Sequence, residues 1–560
     1  MTNEEKKTPL VAIGWDGATW DLLHPWIEEG KLPNISALMK RGCHGSLRST
    51  PVPVSPAAWS TVITGQNPAK HGVFDWFSRR PNRYDVEYVH TAQIQARPLW
   101  EYVNQAKKRI GVMSLPMVYP APAVEGFVLS GMAAPDAKAS GFAHPPEMLA
   151  ELEKELGPYQ LVEKYVYKYG REKEYLRGIL DWLKYQELAI HYLVQKHPCD
   201  LYLLVFMQSD HAQHKLWRYG DENFPGYDPE RDAQHKDAIL EVYQALDDTL
   251  GRLVENFGDA NYIVFSDHGA GPMYGVLHVN RWLQEEGLLY LRQRPSTKLK
   301  YWLAKTDIIM RIYRLVAKLG LGNLSNLVSK SARNQAVSSF LSFDDIDWSR
   351  TKAYARGAFG QIYINLKGRE PGGIIEPGQE YEQLCQDILS RLQDLKHPET
   401  GEGLITGLKR KEEIYKGAYI DQAADITFSI QNYLYQTSVK FGLESKSILG
   451  HSEYEDSGTH REKGILVLAG PDIQTGKNIP AAQLEDILPT MLALADIPVP
   501  AYIDGTPLQE IFDPQLKKRI RFIETKDDDE LSQQEEQAPA MSEKEIAELE
   551  DRLRDLGYLG

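Results

Sequence analysis

The stretch STPVPVSPAAWSTVITGQNPAKHGVF, residues 49–74, decides how the chain is read. Its centre is Ser55-Pro56-Ala57-Ala58-Trp59. Serine suits a helix N-cap, and proline suits the first helical position, where its missing N–H is not needed. Helix-compatible residues run on to Thr64, and Gly65 can close the helix in the left-handed conformation. The spacing therefore predicts Ser55 at a helix N-terminus. Free N–H groups there favour a phosphate oxygen or a developing alkoxide. Most such Ser-Pro pairs are caps and nothing more, so a nucleophilic Ser55 needs support from elsewhere in the chain.

That support lies at the ends of apolar runs. Upstream, PLVAIGWDG (9–17) reads as a buried strand ending at Asp16. Pro33-Asn34 then reads as the cap of a helix, NISALMKRG, closed by Gly42. Downstream, 108–117 and 126–132 read as strands, and 145–197 is rich in helix formers. DLYLLVFMQSD (200–210) is a strand running into Asp210, with His214 four residues on. Residues 237–258 form an amphipathic helix, and NYIVFSDHG (261–269) is a strand running into Asp267 and His268. Further strands are expected in 358–373, 424–430 and 464–473, and a helix stopped by prolines in 481–500. His460 lies in DSGTHREKG, just before the last of these strands. Strands alternating with helices predict an α/β fold, with a mainly parallel central sheet sandwiched by helices. In such sheets ligands bind beyond the carboxyl ends of the strands, where Asp16, Asp210, His214, Asp267, His268 and His460 all recur. Carboxylates and imidazoles suit zinc, and also manganese or iron. Two cations about 4 Å apart clamp a phosphoryl group. His211, His278 and His451 compete with the other imidazoles as ligands.

Composition narrows the class. The chain has 560 residues, 42% hydrophobic and 25% charged, which describes a soluble globular protein. A net charge of −15 argues against a nucleic-acid polymer as partner. Cys43, Cys199 and Cys385 are too few and too scattered for a disulfide framework, and they fit a reducing compartment. With no apolar signal core and no apolar run of membrane-spanning length, a cytoplasmic location is expected. One segment breaks the acidic pattern. Residues 292–333 carry ten basic residues against Asp307 alone, a net of +9. This basic amphipathic stretch reads either as a peripheral contact with an anionic membrane or substrate, or as a lid helix with a solvated face. The acidic, polar residues 526–541 read as a disordered linker. SEKEIAELEDRLRDLGYLG (542–560) reads as an amphipathic helix with a capping box, free to dock on its own body or on a partner.

Taken together, the motifs AIGWDGATW (12–20), SPAAWSTVITGQNPAKHGVFDW (55–76), QSDHAQH (208–214), FSDHGAGP (265–272), SGTHREKG (457–464) and DILPTMLALADIPVP (486–500) resemble the type I phosphodiesterase/nucleotide pyrophosphatase family of the alkaline phosphatase superfamily. The likeness covers roughly residues 9–512 and is closest to a prokaryotic subgroup of phosphohydrolases or phosphomutases. It implies an alkaline-phosphatase-like catalytic domain over 1–525, with helical insertions near 145–197 and 292–345 capping the metal end. It implies two divalent metal ions, zinc or else manganese. One would be held by Asp16, Asp267 and His268, with Ser55 as nucleophile and ligand, and the other by Asp210, His214 and His460. The implied reaction is hydrolysis of a small phosphorylated substrate through a phosphoseryl-type intermediate on Ser55. Two departures bear on substrate. Ala58 stands where nucleotide pyrophosphatases commonly carry an asparagine that holds a phosphate oxygen, and the sulfatase signature is absent. The backbone N–H groups at the helix start or Lys70 are the expected substitutes, with Arg356 and Arg369 as further substrate-side candidates. The expectation is a phosphodiesterase ahead of a phosphomonoesterase. Its rivals are a phosphomutase and a non-catalytic protein that binds an anionic ligand.

Overall fold

Leu10–Trp15 is a six-residue strand buried on both sides. Successive side chains of a strand point to opposite faces. Leu10 and Ala12 accordingly join a core that includes Ala57, Ala58 and Trp59, while Val11, Ile13 and Trp15 join a second core on the other face. Two covered faces explain why the strand reads as an unbroken apolar run. The computed structural model describes residues 8–79, 83–305, 342–438, 442–524 (apart from 444, 446, 452–455 and 480) and 543–555.

The strand sits in the middle of a nine-stranded sheet. The order is Ala482–Gln483, Gly42–Arg48, Lys463–Ala469, Asn261–Phe265, Leu10–Trp15, Leu201–Phe206, Ile110–Leu115, Gly126–Ser130 and Ala143–His144. The five strands from Asn261–Phe265 to Gly126–Ser130 are parallel to one another. Lys463–Ala469 runs antiparallel to both neighbours, and Ala143–His144 is antiparallel at the edge. The sheet is therefore mostly parallel, as expected.

A second sheet lies beside the first, in the order Ala353–Ala355, Gln361–Ile364, Ile426–Ile430, Tyr435–Thr437, Gly275–Leu277 and Leu449–Gly450. Ile405–Arg410 also pairs with Ile426–Ile430. The helix Gln379–Gln393 buries Leu384, Ile388 and Leu392 in this sheet's own core. A separate sheet was not expected from the sequence.

Several elements differ from the sequence reading. Gly42 does not close a helix. It opens the strand Gly42–Arg48, and the helix Pro33–Lys40 ends before it. The carboxylate of Asp247, in the helix Ala238–Phe257, caps that helix by accepting from the Asn34 and Ile35 backbone N–H groups at 2.9 and 2.8 Å. The segment 145–197, expected to cap the metal end, is also part of the body of the fold. Its long helix, Glu172–Lys196, packs Ile179, Leu183, Ile190 and Leu193 into the sheet-covering core, and Gln186 donates to the Val205 carbonyl at 2.6 Å. The basic segment begins as the helix Pro295–Lys305, while residues 306–341 and the expected linker 526–541 lie outside the described residues.

The helix Glu543–Asp555 docks on its own chain. Leu549 and Leu553 are buried in the core, and Arg552 donates to the Met132 carbonyl at 3.0 Å and also to those of Ala134 and Pro135. Among the described residues no helix is long and apolar enough to cross a membrane.

Candidate active site

Parallel register brings the acids together. Leu10 pairs with both Leu201 and Asn261, and Gly14 pairs with Phe265. Two residues further along this register, Asp16 stands beside Asp267, and His268 follows. From the other neighbour, the helix Gln208–Gly220 starts just after Phe206 and presents Asp210 and His214 one turn apart. His460 arrives on Gly458–Arg461, which pairs antiparallel with Gly269–Pro272, immediately after His268. Gly17, at φ +67°, makes the turn after Asp16. A Cβ there would sit 3.0 Å from Asp210 Oδ1, so only glycine fits.

The seven expected residues are assembled and buried. Ser55, Asp16, Asp267 and His268 are 0% exposed and His214, the most exposed, is 7%, so the ligand atoms face one another rather than bulk water. The ligand atoms of Asp16, Asp267 and His268 lie within 4.8 Å of one another, and so do those of Asp210, His268 and His460. His214 Nε2 is 3.4 Å from Asp210 Oδ1 and 3.0 Å from His460 Nε2. His268 thus sits between the two groups, and its ring stacks on His460 at 3.6 Å.

Ser55 opens the helix Ser55–Thr64 from inside it rather than as its cap. Val54 occupies the N-cap position, with no side-chain cap bond, and Gly65 closes the helix in the left-handed conformation at φ 63°. The serine hydroxyl is therefore not spent on the helix. It lies 3.2 Å from His268 Nε2.

The charges are set against one another. Burial, reinforced by Asp267 and Asp210, pushes the Asp16 carboxyl well above its usual range. Burial pushes Asp267 up to about 6, with His268 opposing and Asp210 adding to the rise. Burial works against ionised Asp210 too, but His214, then His460 and His268, outweigh it and hold its carboxyl well below the usual range. Burial likewise disfavours the His214 imidazolium, yet Asp210 raises it overall. Burial, then the neighbouring His268, pushes His460 well below the ordinary imidazole value. Three crowded carboxylates out of water are a natural seat for cations. Asp16 Oδ1 and Asp267 Oδ2 are buried with no hydrogen-bond donor among the described residues, so each keeps a lone pair for a metal.

Neighbouring groups aim the ligands. Carbonyls only accept, so His268 Nδ1–H donates to Gly269 O at 3.0 Å and His460 Nδ1–H to Pro53 O at 2.6 Å. With Nδ1–H engaged in this way, each ring turns its Nε2 inward, the nitrogen a metal ligand would use. Trp59, one turn after Ser55, donates its indole N–H to Asp16 Oδ2 at 2.8 Å. Gly14 makes room for that indole, because a Cβ there would meet Trp59 Cη2 at 2.4 Å. Sequence reasoning quoted Trp59 without a role. The Ser55–Trp59 spacing of four was the available signal, since it places both on one helix face.

The substrate-side expectations fare differently. Lys70 is not brought to the cluster. Its ammonium pairs with Asp504 at 2.5 Å, beyond the far end of the ten-residue Ser55 helix, which is about 15 Å long. Arg369 is committed to Asp425, with both Nη atoms at 2.7 Å. Arg356 stacks on Phe343 at 3.9 Å and donates to the Tyr84 carbonyl. His211 pairs with Glu163 at 2.8 Å, outside the two ligand groups. Next to the cluster, a cavity of about 360 Å³ lies between the two sheets, lined by Arg48, Pro53, Phe359, Lys409, Tyr433 and Glu485 among others. Pro53 and Phe359 are shared with the cluster, since Pro53 holds His460 and the Phe359 ring lies 5.3 Å from it.

Among solved structures, the chain is similar to phosphonoacetate hydrolase from Sinorhizobium meliloti 1021 in complex with phosphonoacetate. The TM-score is 0.52 and the identity 15%, over 87% of this chain and 96% of that one. Murine ectonucleotide pyrophosphatase/phosphodiesterase 5, an inactive form in complex with AMP, matches at TM-score 0.48 and 14% identity, over 90% of this chain and 100% of that one. No curated protein sequence matches the chain. The model of the family described as type I phosphodiesterase/nucleotide pyrophosphatase matches residues 10–460, most of the chain and every one of the seven clustered residues. The chain therefore belongs to the type I phosphodiesterase/nucleotide pyrophosphatase family and is an enzyme of the phosphoester-hydrolase type.

Proposed function

We propose that the chain hydrolyses a small phosphoric ester, a diester in preference to a monoester, with Ser55 as nucleophile. The observation that carries this reading is the Ser55 hydroxyl, buried at a helix start without capping it and hydrogen-bonded to His268 Nε2 at 3.2 Å. Asp16, Asp267 and His268 would hold one divalent cation with Ser55, and Asp210, His214 and His460 a second, with zinc or manganese suited to these donors. When bound, the cations supply a lowered pKa at the serine hydroxyl and offset the charge of the phosphoryl group.

The chain's own residues do the rest. The Ser55 oxygen loses its proton and attacks phosphorus, the bond to one ester oxygen breaks and that oxygen leaves protonated as an alcohol, and a phosphoseryl-type ester still carrying the diester's other substituent remains. Water then cleaves the bond between phosphorus and the serine oxygen and regenerates Ser55. The first-turn N–H groups of Ser55 and Ala57 precede any intrahelical partner and face the developing charge. They replace the asparagine that Ala58 lacks, since Lys70 is engaged by Asp504. The cavity beside His460 has room for the part of the substrate that extends away from phosphorus.

The deciding experiment compares bis-p-nitrophenyl phosphate with p-nitrophenyl phosphate on metal-free protein and on zinc- or manganese-loaded protein. Metal-dependent release that disappears in Ser55→Ala is the expected result. Undiminished turnover in Ser55→Ala would remove Ser55 from the mechanism. The deep burial of Ser55 favours one second reading, a phosphomutase that keeps water from the phosphoseryl group and returns it to substrate. Incubation with a phosphate monoester in ¹⁸O-labelled water separates the two, because a mutase product carries no label.

A further inference from the structure

Among its described side chains, the helix Pro295–Lys305 turns several polar groups toward the protein and two large apolar ones outward. An ordinary surface helix buries its apolar stripe and leaves its polar side to water. Here Thr297, Lys300 and the Tyr301 hydroxyl make polar contacts with the protein, while the Tyr301 ring packs against the second-sheet core. Thr297, 2% exposed, donates to Asp345 Oδ1 at 2.7 Å, Lys300 pairs with Asp345 Oδ2 at 3.0 Å, and Tyr301 donates to Gln284 Oε1 at 3.4 Å. The outward side carries Leu299 and Trp302, which are 56% and 54% exposed. They lie three apart and so share one face. Lys298, next to Leu299, is exposed as well, and so is Arg294 just before the helix.

Charge says what would cover this face. Residues 292–305 hold five basic residues and no acid, and the net of 292–333 is +9 in a chain of −15. A soluble protein partner would need an unusually acidic patch matched to exposed tryptophan and leucine. A bilayer with anionic headgroups supplies negative charge and an apolar layer at adjacent depths. Tryptophan settles at that boundary, and each basic side chain near the surface adds to the attraction. A single weak signal gives only marginal membrane binding, whereas an apolar insertion together with a basic cluster gives two. We infer that the outward face of the helix Pro295–Lys305 is a docking surface for an anionic lipid bilayer, with Leu299 and Trp302 entering the interface and Arg294 and Lys298 meeting the headgroups.

The test is co-sedimentation of the full-length, metal-loaded protein with vesicles of phosphatidylcholine, with and without phosphatidylglycerol. Binding is expected only with phosphatidylglycerol, and it should weaken at high salt as headgroup attraction is screened. Leu299→Ser/Trp302→Ser and Arg294→Glu/Lys298→Glu should each weaken binding about tenfold or more, while thermal unfolding stays close to wild type. Three results would overturn the inference. One is no binding to either vesicle. Another is wild-type binding by both double variants, which would put the contact elsewhere. The third is self-association without lipid that is lost in Leu299→Ser/Trp302→Ser, which would give the face to a second copy of the chain.

Discussion

Ser55 and Trp59 show how one helical turn serves two purposes. The first presents a hydroxyl to His268, and the second fixes Asp16 through its indole N–H. Trp59→Phe keeps the ring and removes the donor. A lost partner of this kind lowers metal affinity or activity by about 10–100-fold. Competition with a chromophoric chelator should show the weaker metal binding, with the fold intact by circular dichroism. Gly14→Ala attacks the same contact by overpacking, because its Cβ would lie 2.4 Å from the indole. About 1–3 kcal/mol of destabilisation is expected in urea unfolding. The acids were legible because each closely follows an apolar strand, and the roles of Gly14 and Trp59 were not. A glycine in a strand gives no hint of which side chain fills the space it leaves. The reading of Lys70 failed for a similar reason, since its partner Asp504 is 434 residues away.

Among elements, those buried on both faces were legible and those at the margins were not. Leu10–Trp15, Leu201–Phe206 and Asn261–Phe265 are fully buried and announce themselves as apolar runs. Gly42–Arg48, with its sequence GCHGSLR, is only partly buried and carries two glycines pressed against neighbours. A Cβ on Gly42 would sit 2.0 Å from the Leu468 carbonyl oxygen. Nothing in its periodicity marks a strand. The cap of the helix Pro33–Lys40 was also hidden, because Asp247 supplies it from another helix. Asp247→Ala should cost about 1–2 kcal/mol, seen as a lowered denaturant midpoint with an unchanged slope.

In the second sheet, buried Asp425 is ion-paired with Arg369. Burial opposes its ionisation, but Arg369 and then Lys411 prevail, so its folded-state pKa lies below the unfolded value of about 3.9. A depressed carboxyl contributes stability above the unfolded pKa, and that contribution is lost as pH falls through the folded one. Wild type should therefore lose stability steeply below about pH 4. Asp425→Asn should be less stable at pH 7 and show a shallower fall in acid.

At the scale of the whole molecule, the helix Glu543–Asp555 shares a core with the strand Leu10–Trp15. Burying a leucine stabilises by about 1.5–3 kcal/mol, and the last helix buries Leu549 and Leu553. A chain stopped at residue 541 should unfold at a clearly lower temperature and bind a hydrophobic dye through the uncovered patch. Metal occupancy should act on the same global equilibrium. Asp16, Asp210 and Asp267 repel one another when ionised, and a cation bound only to the native state stabilises by about 2.7 kcal/mol at 100 times its dissociation constant. Chelation should therefore lower the unfolding temperature of wild type far more than that of an Asp16→Asn/Asp210→Asn variant, which has lost part of the repulsion and of the site.

The antiparallel strand Lys463–Ala469 lies between Gly42–Arg48 and Asn261–Phe265. On the ribosome, Gly42–Arg48 emerges early and then waits for a neighbour encoded 415 residues later. At about 5–20 residues per second, that wait is roughly 20–80 s. During it, Asn261–Phe265 also presents an open edge, and the cluster lacks His460, which precedes the missing strand. The nascent chain thus carries unpaired strand edges, which are aggregation-prone, until Lys463–Ala469 is made, and its cluster is complete only once His460 has emerged.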